Sequence, residues 1–248
     1  MHTFKDNFSQ QSDLYVKYRP HYPQGLYAYL ASLTLHRELA WDCGTGNGQA
    51  ATGLATFYKR VLATDPSRQQ IANCLSCENV HYAIERSENC SLPSDSADLI
   101  TIANALHWFD FEKFFKEAKR VLKKNGVIAA WAYGPPRISK EVDQVTAHFH
   151  NIVLNDYWRP ENRLVEQEYR TIPFPFELIT SPVFFSEKEM RLEDFIGFLN
   201  TWSATQRFIN ENNYNPIDEI LPALTNAWNN DHTKNARWHL VLKTGRLP

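Results

Sequence analysis

No stretch of this 248-residue chain approaches the ~20 apolar residues that a membrane-spanning helix needs. Its opening, Met1-His2-Thr3-Phe4-Lys5-Asp6-Asn7-Phe8, is too polar for the apolar segment of a secretory signal. Charge of one sign is lacking too. Lys and Arg number 26 against 28 Asp and Glu, a formal net charge of −2, which gives no electrostatic footprint for nucleic acid. Cysteine is scarce, with four in all. Cys74 and Cys77 form a C-x-x-C, but no second pair and no His-x-His follows at a zinc-binding spacing, so no metal site is expected. Internal repeats and low-complexity linkers are absent. The expectation is a cytoplasmic protein with no metal, membrane or nucleic-acid partner.

What is there is globular. Hydrophobic residues make up 43% and aromatic residues 13% of a length that suits one α/β domain, 1–248, with elaborations. The chain is organised around Trp41-Asp42-Cys43-Gly44-Thr45-Gly46-Asn47-Gly48-Gln49-Ala50. Leu39-Ala40-Trp41 reads as the end of a buried strand, and Ala50 to Phe57 has the spacing of a helix packed on a sheet. Glycines between them permit positive φ and close approach of a ligand. The helix start favours electron-rich groups. Strand, Gly-rich turn and helix form the nucleotide corner of a doubly wound sheet.

A missing glycine narrows the nucleotide. The dinucleotide fingerprint G-x-G-x-x-G wants its third Gly where this chain has Gln49. Asp42, at the strand end, is a poor neighbour for a pyrophosphate and a good one for a cationic ligand or the loop that orders it. S-adenosylmethionine carries a sulfonium and an ammonium and has no phosphate. The stretch resembles the glycine-rich signature of class I S-adenosylmethionine-dependent methyltransferases.

Further on, Arg60 to Asp65 reads as a second strand ending in an acid, ~20 residues past the loop, where ribose hydroxyls are bound in such sheets. Asn79–Ile84 is a third strand, Ala97–Ala103 a buried fourth and Val127–Tyr133 a fifth. Asp110 caps a helix from Phe111 to Leu122, stopped at Asn125-Gly126. Residues 1–36 form an N-terminal helical region, either a lid whose Tyr15, Tyr18 and Arg19 face the cofactor or a cover for a sheet edge. Residues 134–234 break the alternation: helices are expected over 137–170, 192–208 and 216–229, with a strand interrupted by Pro175 and Pro182. They are read as a cap threaded between strands, before a last strand at 238–243.

Longer strings carry a closer resemblance. Phe8…Tyr15…Tyr18-Arg19-Pro20…Tyr22-Pro23, Ala63 to Ile71, Glu88 to Pro93, Ala105-Leu106-His107-Trp108-Phe109-Asp110, Arg120 to Gly126 and Thr201 to Phe208 look like a class I group that includes trans-aconitate-methyltransferase-like proteins. Lys124 and Asn125 depart from its usual turn. The resemblance implies a Rossmann-like seven-stranded sheet in the order 3-2-1-4-5-7-6, with helices on both faces and a helical cap. It implies that Asp42, Gly44 and Gly46 hold the methionine part, Asp65 with Pro66 the ribose, and Glu88 with Asn89 the adenine. Tyr15, Arg19 and Asn104 complete the expected cofactor set, with Arg19 on the cofactor carboxylate. Tyr18, Tyr133, Trp202 and Arg207 are expected on the acceptor side.

At the strand end, His107 is either a general base near pH 7 or a histidine that fixes the loop. Trp108 either walls the methyl donor or packs in the core. The cap arginines form a solvated face unless one, best Arg207, clamps an acidic acceptor. The expected reaction is methyl transfer to a small molecule, at oxygen of a carboxylate or hydroxyl. A nicotinamide-dependent oxidoreductase and a non-catalytic cofactor-binding module are the alternatives.

Overall fold

The computed structural model describes residues 17–229 and 231–248. Tyr15, with the rest of residues 1–16 of the expected lid, lies outside them.

The sheet is built from β1 (Leu39–Cys43), β2 (Arg60–Asp65), β3 (Val80–Ile84), β4 (Ala97–Ala103), β5 (Leu122–Ala132), β6 (Glu177–Ile179), β7 (Phe184–Met190) and β8 (Lys234–Arg246). The order is 3-2-1-4-5-8-6, with β7 also on β8. β1 to β5 run parallel, and β8 is antiparallel to β5, β6 and β7. Ile179 pairs with Thr244 and Phe184 with Leu240, so one side advances five residues while the other advances four. The extra residue falls around Pro182, which has no N–H to give a ladder. Counted as one broken strand, β6 and β7 reproduce the expected order 3-2-1-4-5-7-6.

Strand alternation sorts the core into two layers. Ala40, Val61, Ala63, Leu99, Val127, Ala129 and Trp131 face one layer, with α1 (Gln24–Ser32) and α2 (Gln49–Leu54). Trp41, Cys43, Leu62, Ile100, Ile102, Ile128 and Ala130 face the other, against α4 (Phe111–Val121), which follows the short α3 (Arg68–Ala72). Both faces of the parallel strands are therefore buried, as crossover helices require. In α4 the buried stripe is Phe114, Phe115, Ala118 and Val121. Truncating Phe114 would cost about 3–5 kcal/mol by the usual cavity penalty. Asp110 caps the helix through Lys113 N–H at 3.3 Å. The helix ends at Val121, and β5 begins at Leu122, earlier than its apolar run suggests.

Residues 134–234 hold α5 (Lys140–His148), α6 (Asn162–Glu166), α7 (Leu192–Asn200), α8 (Ser203–Asn212) and α9 (Ile217–Trp228). They also supply β6 and β7. α5 continues as a π-helical turn, Phe149–Val153. The run read as one helix from 192 to 208 breaks at Thr201-Trp202. Aromatic residues of this region join the first layer, with Phe195 stacked on Trp228 at 5.8 Å and Phe149 on Trp202 at 5.9 Å.

Candidate active site

The carboxyl ends of the parallel strands open into a cleft of 1460 Å³. The Gly-rich loop forms one wall. Its Gly44 and Thr45 N–H groups donate to Thr64 O at 2.8 and 2.9 Å, which ties the loop to β2. Gly44, Gly46 and Gly48 all have positive φ. Their surroundings differ. A Cβ on Gly44 would come within 2.8 Å of Ala105 Cβ, and one on Gly48 within 2.6 Å of Tyr82 Oη. One on Gly46 would meet nothing closer than Gln70 Oε1 at 4.0 Å. Gly46 is thus the glycine that faces open cleft, and a ligand can reach its backbone.

Asp65 lines the cleft and organises this wall. Its Oδ2 accepts from Gly46 N–H at 3.0 Å and its Oδ1 from Ser67 N–H at 2.8 Å. Asp42 is fully buried below the loop and does not line the cleft. It accepts from Thr45 Oγ1 at 2.5 Å and Thr101 Oγ1 at 2.7 Å. Burial pushes its carboxyl up to about 6; the two hydroxyls, and the Ala51 N–H in the first turn of α2, oppose that shift. Of the two parts expected of Asp42, a partner for the cationic ligand or for the loop that orders it, this position suits the second: Asp42 acts on the loop from beneath. It also occupies the helix terminus that a pyrophosphate would use.

Of the loop expected at the adenine, Arg86, Ser87 and Glu88 line the cleft, while Asn89 does not. The Asn89 N–H donates back to Arg86 O at 3.2 Å, closing a tight turn that takes the residue off the lining. That loop is held by a bidentate pair: Arg120 donates to Glu117 through Nε at 2.8 Å and Nη2 at 2.7 Å. Arg120 also reaches Leu92 O and Cys90 O, and Glu117 accepts from Cys90 N–H. Arg120 holds the Glu117 carboxyl below its usual range.

Pro66, Asn104, Trp108, Tyr133, Trp202 and Arg207 all line the cleft. Asn104 has φ +54 and donates its N–H to Trp131 O at 2.7 Å. Arg19 lines it as well, and Thr201 takes two of its donors, Nε to Oγ1 at 2.8 Å and Nη2 to O at 3.1 Å. Tyr18 stands elsewhere: its ring fills the slot left by Gly197 in α7, where a Cβ would fall within 2.5 Å of it. Gln49, at the position of the missing third glycine, donates to Pro20 O at 2.9 Å and also contacts His21 Nδ1. The loop is so strapped to the N-terminal segment, a link with no local signal in the sequence.

His107 lines the cleft but is only 5% exposed, and burial pushes its imidazole down to about 3. A ring that binds a proton so weakly is a poor general base at neutral pH. Of the two readings of His107, such a ring suits the histidine that fixes the loop better than the base. Trp158 and His150, neither of them singled out as a site residue, line the cap side, their rings 4.6 Å apart. Among the described residues no group of three His, Cys, Asp or Glu could hold a metal, and no helix is long and apolar enough to cross a membrane.

A family described as "Methyltransferase domain" matches residues 41–130, the Gly-rich loop through β5. The chain is 36% identical to the "Putative methyltransferase" of Dictyostelium discoideum over 229 residues, 91% of this chain and 87% of that protein. It is a class I S-adenosylmethionine-dependent methyltransferase. A solved "Putative Type II Methyltransferase" from Anaeromyxobacter dehalogenans superposes with a TM-score of 0.86 at 38% identity, covering 92% of this chain and 98% of that one. The "Probable S-adenosylmethionine-dependent methyltransferase" of Saccharomyces cerevisiae is 26% identical over 61% of this methyltransferase and 55% of its own length. None of these three names states an acceptor.

The methyl donor of the enzyme is S-adenosylmethionine, and the cleft fits it. A Gly46 backbone that borders the open cleft and a carboxylate at the end of β2 suit it. The oxidoreductase alternative falls with the family assignment.

Proposed function

We propose that this methyltransferase alkylates an oxygen of a small acid, with the acceptor seated between the Gly-loop wall and residues 134–234, which serve as its cap. The observation that carries this is the size of the cleft. A single drug-sized ligand occupies a pocket of roughly 300–1,000 Å³, and 1460 Å³ leaves room for a second molecule. The cap side is walled by Tyr133, Trp158 and Trp202, and Arg207 is there too. Arg207 gives one donor to Tyr157 O at 3.1 Å and faces Glu211 at 3.5 Å, so a guanidinium with five donors has others for a carboxylate.

Bound S-adenosylmethionine supplies a methyl group on a sulfonium that is already a good leaving group. The protein's share is alignment, worth ~7–11 kcal/mol where a near-attack geometry is held. Gly46 backbone and Asp65 hold the donor's sugar and methionine end, Glu88 borders its adenine, and the aromatic walls exclude water. A carboxylate acceptor is a nucleophile as it stands, whereas a hydroxyl must lose a proton. The His107 imidazole, at about 3, does not take one at neutral pH. The acid is therefore the better acceptor of the two.

A transfer assay with radiolabelled methyl donor, run against pooled small carboxylates, phenols and amines, tests this. Label should pass to the carboxylate pool in a base-labile ester. Transfer confined to the amine pool would refute the reading.

A further inference from the structure

His107 sits in the 3₁₀ turn Leu106–Trp108 that follows β4. Tyr169, fully buried and 62 residues away in sequence, places its phenol oxygen 2.9 Å from His107 Nδ1. The phenol is brought there by unusual backbone. Glu168 and Tyr169 have φ of +54 and +56, a left-handed region that side chains of this size rarely adopt. The surroundings hold it: the Tyr169 N–H donates to Leu164 O at 2.8 Å, and Lys243 Nζ donates to the carbonyls of Tyr169 and Ile172 at 2.9 and 3.0 Å. Burial lowers that ammonium's pKa, which the two carbonyls tolerate because they are acceptors for either form.

A proton count fixes the direction of the bond. Burial drives the phenol pKa far up, so the O–H keeps its proton. That proton needs an acceptor, and among the described residues the phenol oxygen's one hydrogen-bond partner is Nδ1. Were Nδ1 protonated, it would donate to the phenol oxygen and leave the buried O–H with no acceptor, which is the costlier arrangement. Nδ1 therefore accepts, and the neutral ring carries its hydrogen on Nε2. Among the described residues Nε2 has no hydrogen-bond partner and is not sealed from solvent, and His107 lines the cleft.

We infer that Tyr169 is a positioning residue that locks His107 in the Nε2–H tautomer, so that His107 offers a hydrogen-bond donor to an oxygen of the acceptor. The use made of that donor rests on the acceptor site proposed above, whereas the tautomer does not. In transfer to a carboxylate, such a donor orients the oxygen that does not attack. Negative charge leaves the carboxylate as the ester forms, so the bond helps binding more than the chemical step.

The test is a long-range proton–nitrogen correlation spectrum of the full chain labelled with ¹⁵N-histidine, the His107 signals being assigned by their loss in His107→Gln. Nδ1 should show the shift of an unprotonated ring nitrogen and Nε2 that of a protonated one, with no titration between about pH 5.5 and 8. Tyr169→Phe should bring in the second tautomer. An Nδ1–H ring in the wild type, or an unchanged Nε2–H ring in Tyr169→Phe, overturns the inference; if that variant fails to fold, the wild-type spectrum still decides. With the acceptor found in the transfer assay, His107→Leu should raise KM ~10–150-fold, the worth of a bond to a charged group, and lower kcat less. A ~10²–10⁴-fold loss of kcat at unchanged KM would make His107 a base and overturn it.

Discussion

Asp42→Asn separates a carboxylate that stabilises the loop as an ion from one that is tolerated at a cost. Asp42 is fully buried, and burial outweighs Thr45, Thr101 and the α2 N–H to raise its pKa from 3.8 to about 6. The sign follows from proton counts. Between about 3.8 and 6 the folded chain holds a proton that the unfolded chain has released, so stability falls as pH rises through that window. Below it the contribution vanishes. Above it the cost is full, two pKa units or about 3 kcal/mol at ~1.4 kcal/mol each. The amide in the Asp42→Asn variant would not titrate, and changes in its hydrogen bonds shift the variant equally at every pH. Urea or thermal unfolding of both proteins at about pH 4.5 and pH 7 reads the difference. The variant should gain about 2 kcal/mol on the wild type between the two, or roughly 4–8 °C in Tm for a chain of this size. A gap independent of pH would refute the raised pKa. A gap that moves the other way would mean that the two hydroxyls and the helix terminus outweigh burial.

The loop glycines should part company. Gly46→Ala, at positive φ but in open space, should abolish cofactor affinity by calorimetry with the fold retained, whereas Gly44→Ala should unfold at lower temperature because it meets Ala105 and Phe109. Asp65→Ala removes the acceptor for the Gly46 and Ser67 N–H groups and, in the proposed reading, the ribose contact, so affinity should fall by at least ~1.5–3 kcal/mol; unchanged binding would place the nucleotide elsewhere. Arg207→Lys should raise KM for an acidic acceptor with little change in kcat, since an ammonium cannot reproduce the planar fork. A kcat effect without a KM effect would remove Arg207 from the acceptor site.

The parallel half of the enzyme was legible because its signals are local. Strand, Gly-rich turn and helix sit within about twenty residues, the acid at 65 ends the next strand, and Asp110 caps the helix beside it. A hydrophobic period and a turn residue determine such units before the chain meets itself. The sequence also carried the order of the sheet through its family likeness, including the strand broken near Pro182. It showed Asp42 at the right corner without saying which side of the loop its carboxylate takes, because one of the hydroxyls that hold it, Thr101, comes from 59 residues away.

Only the tertiary structure decided what rests on distant segments. Arg19 meets Thr201 across 182 positions, Gln49 meets Pro20, and Tyr169 reaches His107 from a stretch whose spacing looked helical. His107 is the sharpest case. Its residue type and place at the end of β4 admit a base or a fixed loop histidine, and an exposed imidazole would titrate near pH 6.5. Burial lowers its pKa, and a phenol from 62 residues away meets its Nδ1; neither leaves a trace in the string Ala105-Leu106-His107-Trp108. Local pattern determines which elements form. Desolvation and hydrogen-bond partners belong to the packed chain, and they determine what a side chain in those elements can do.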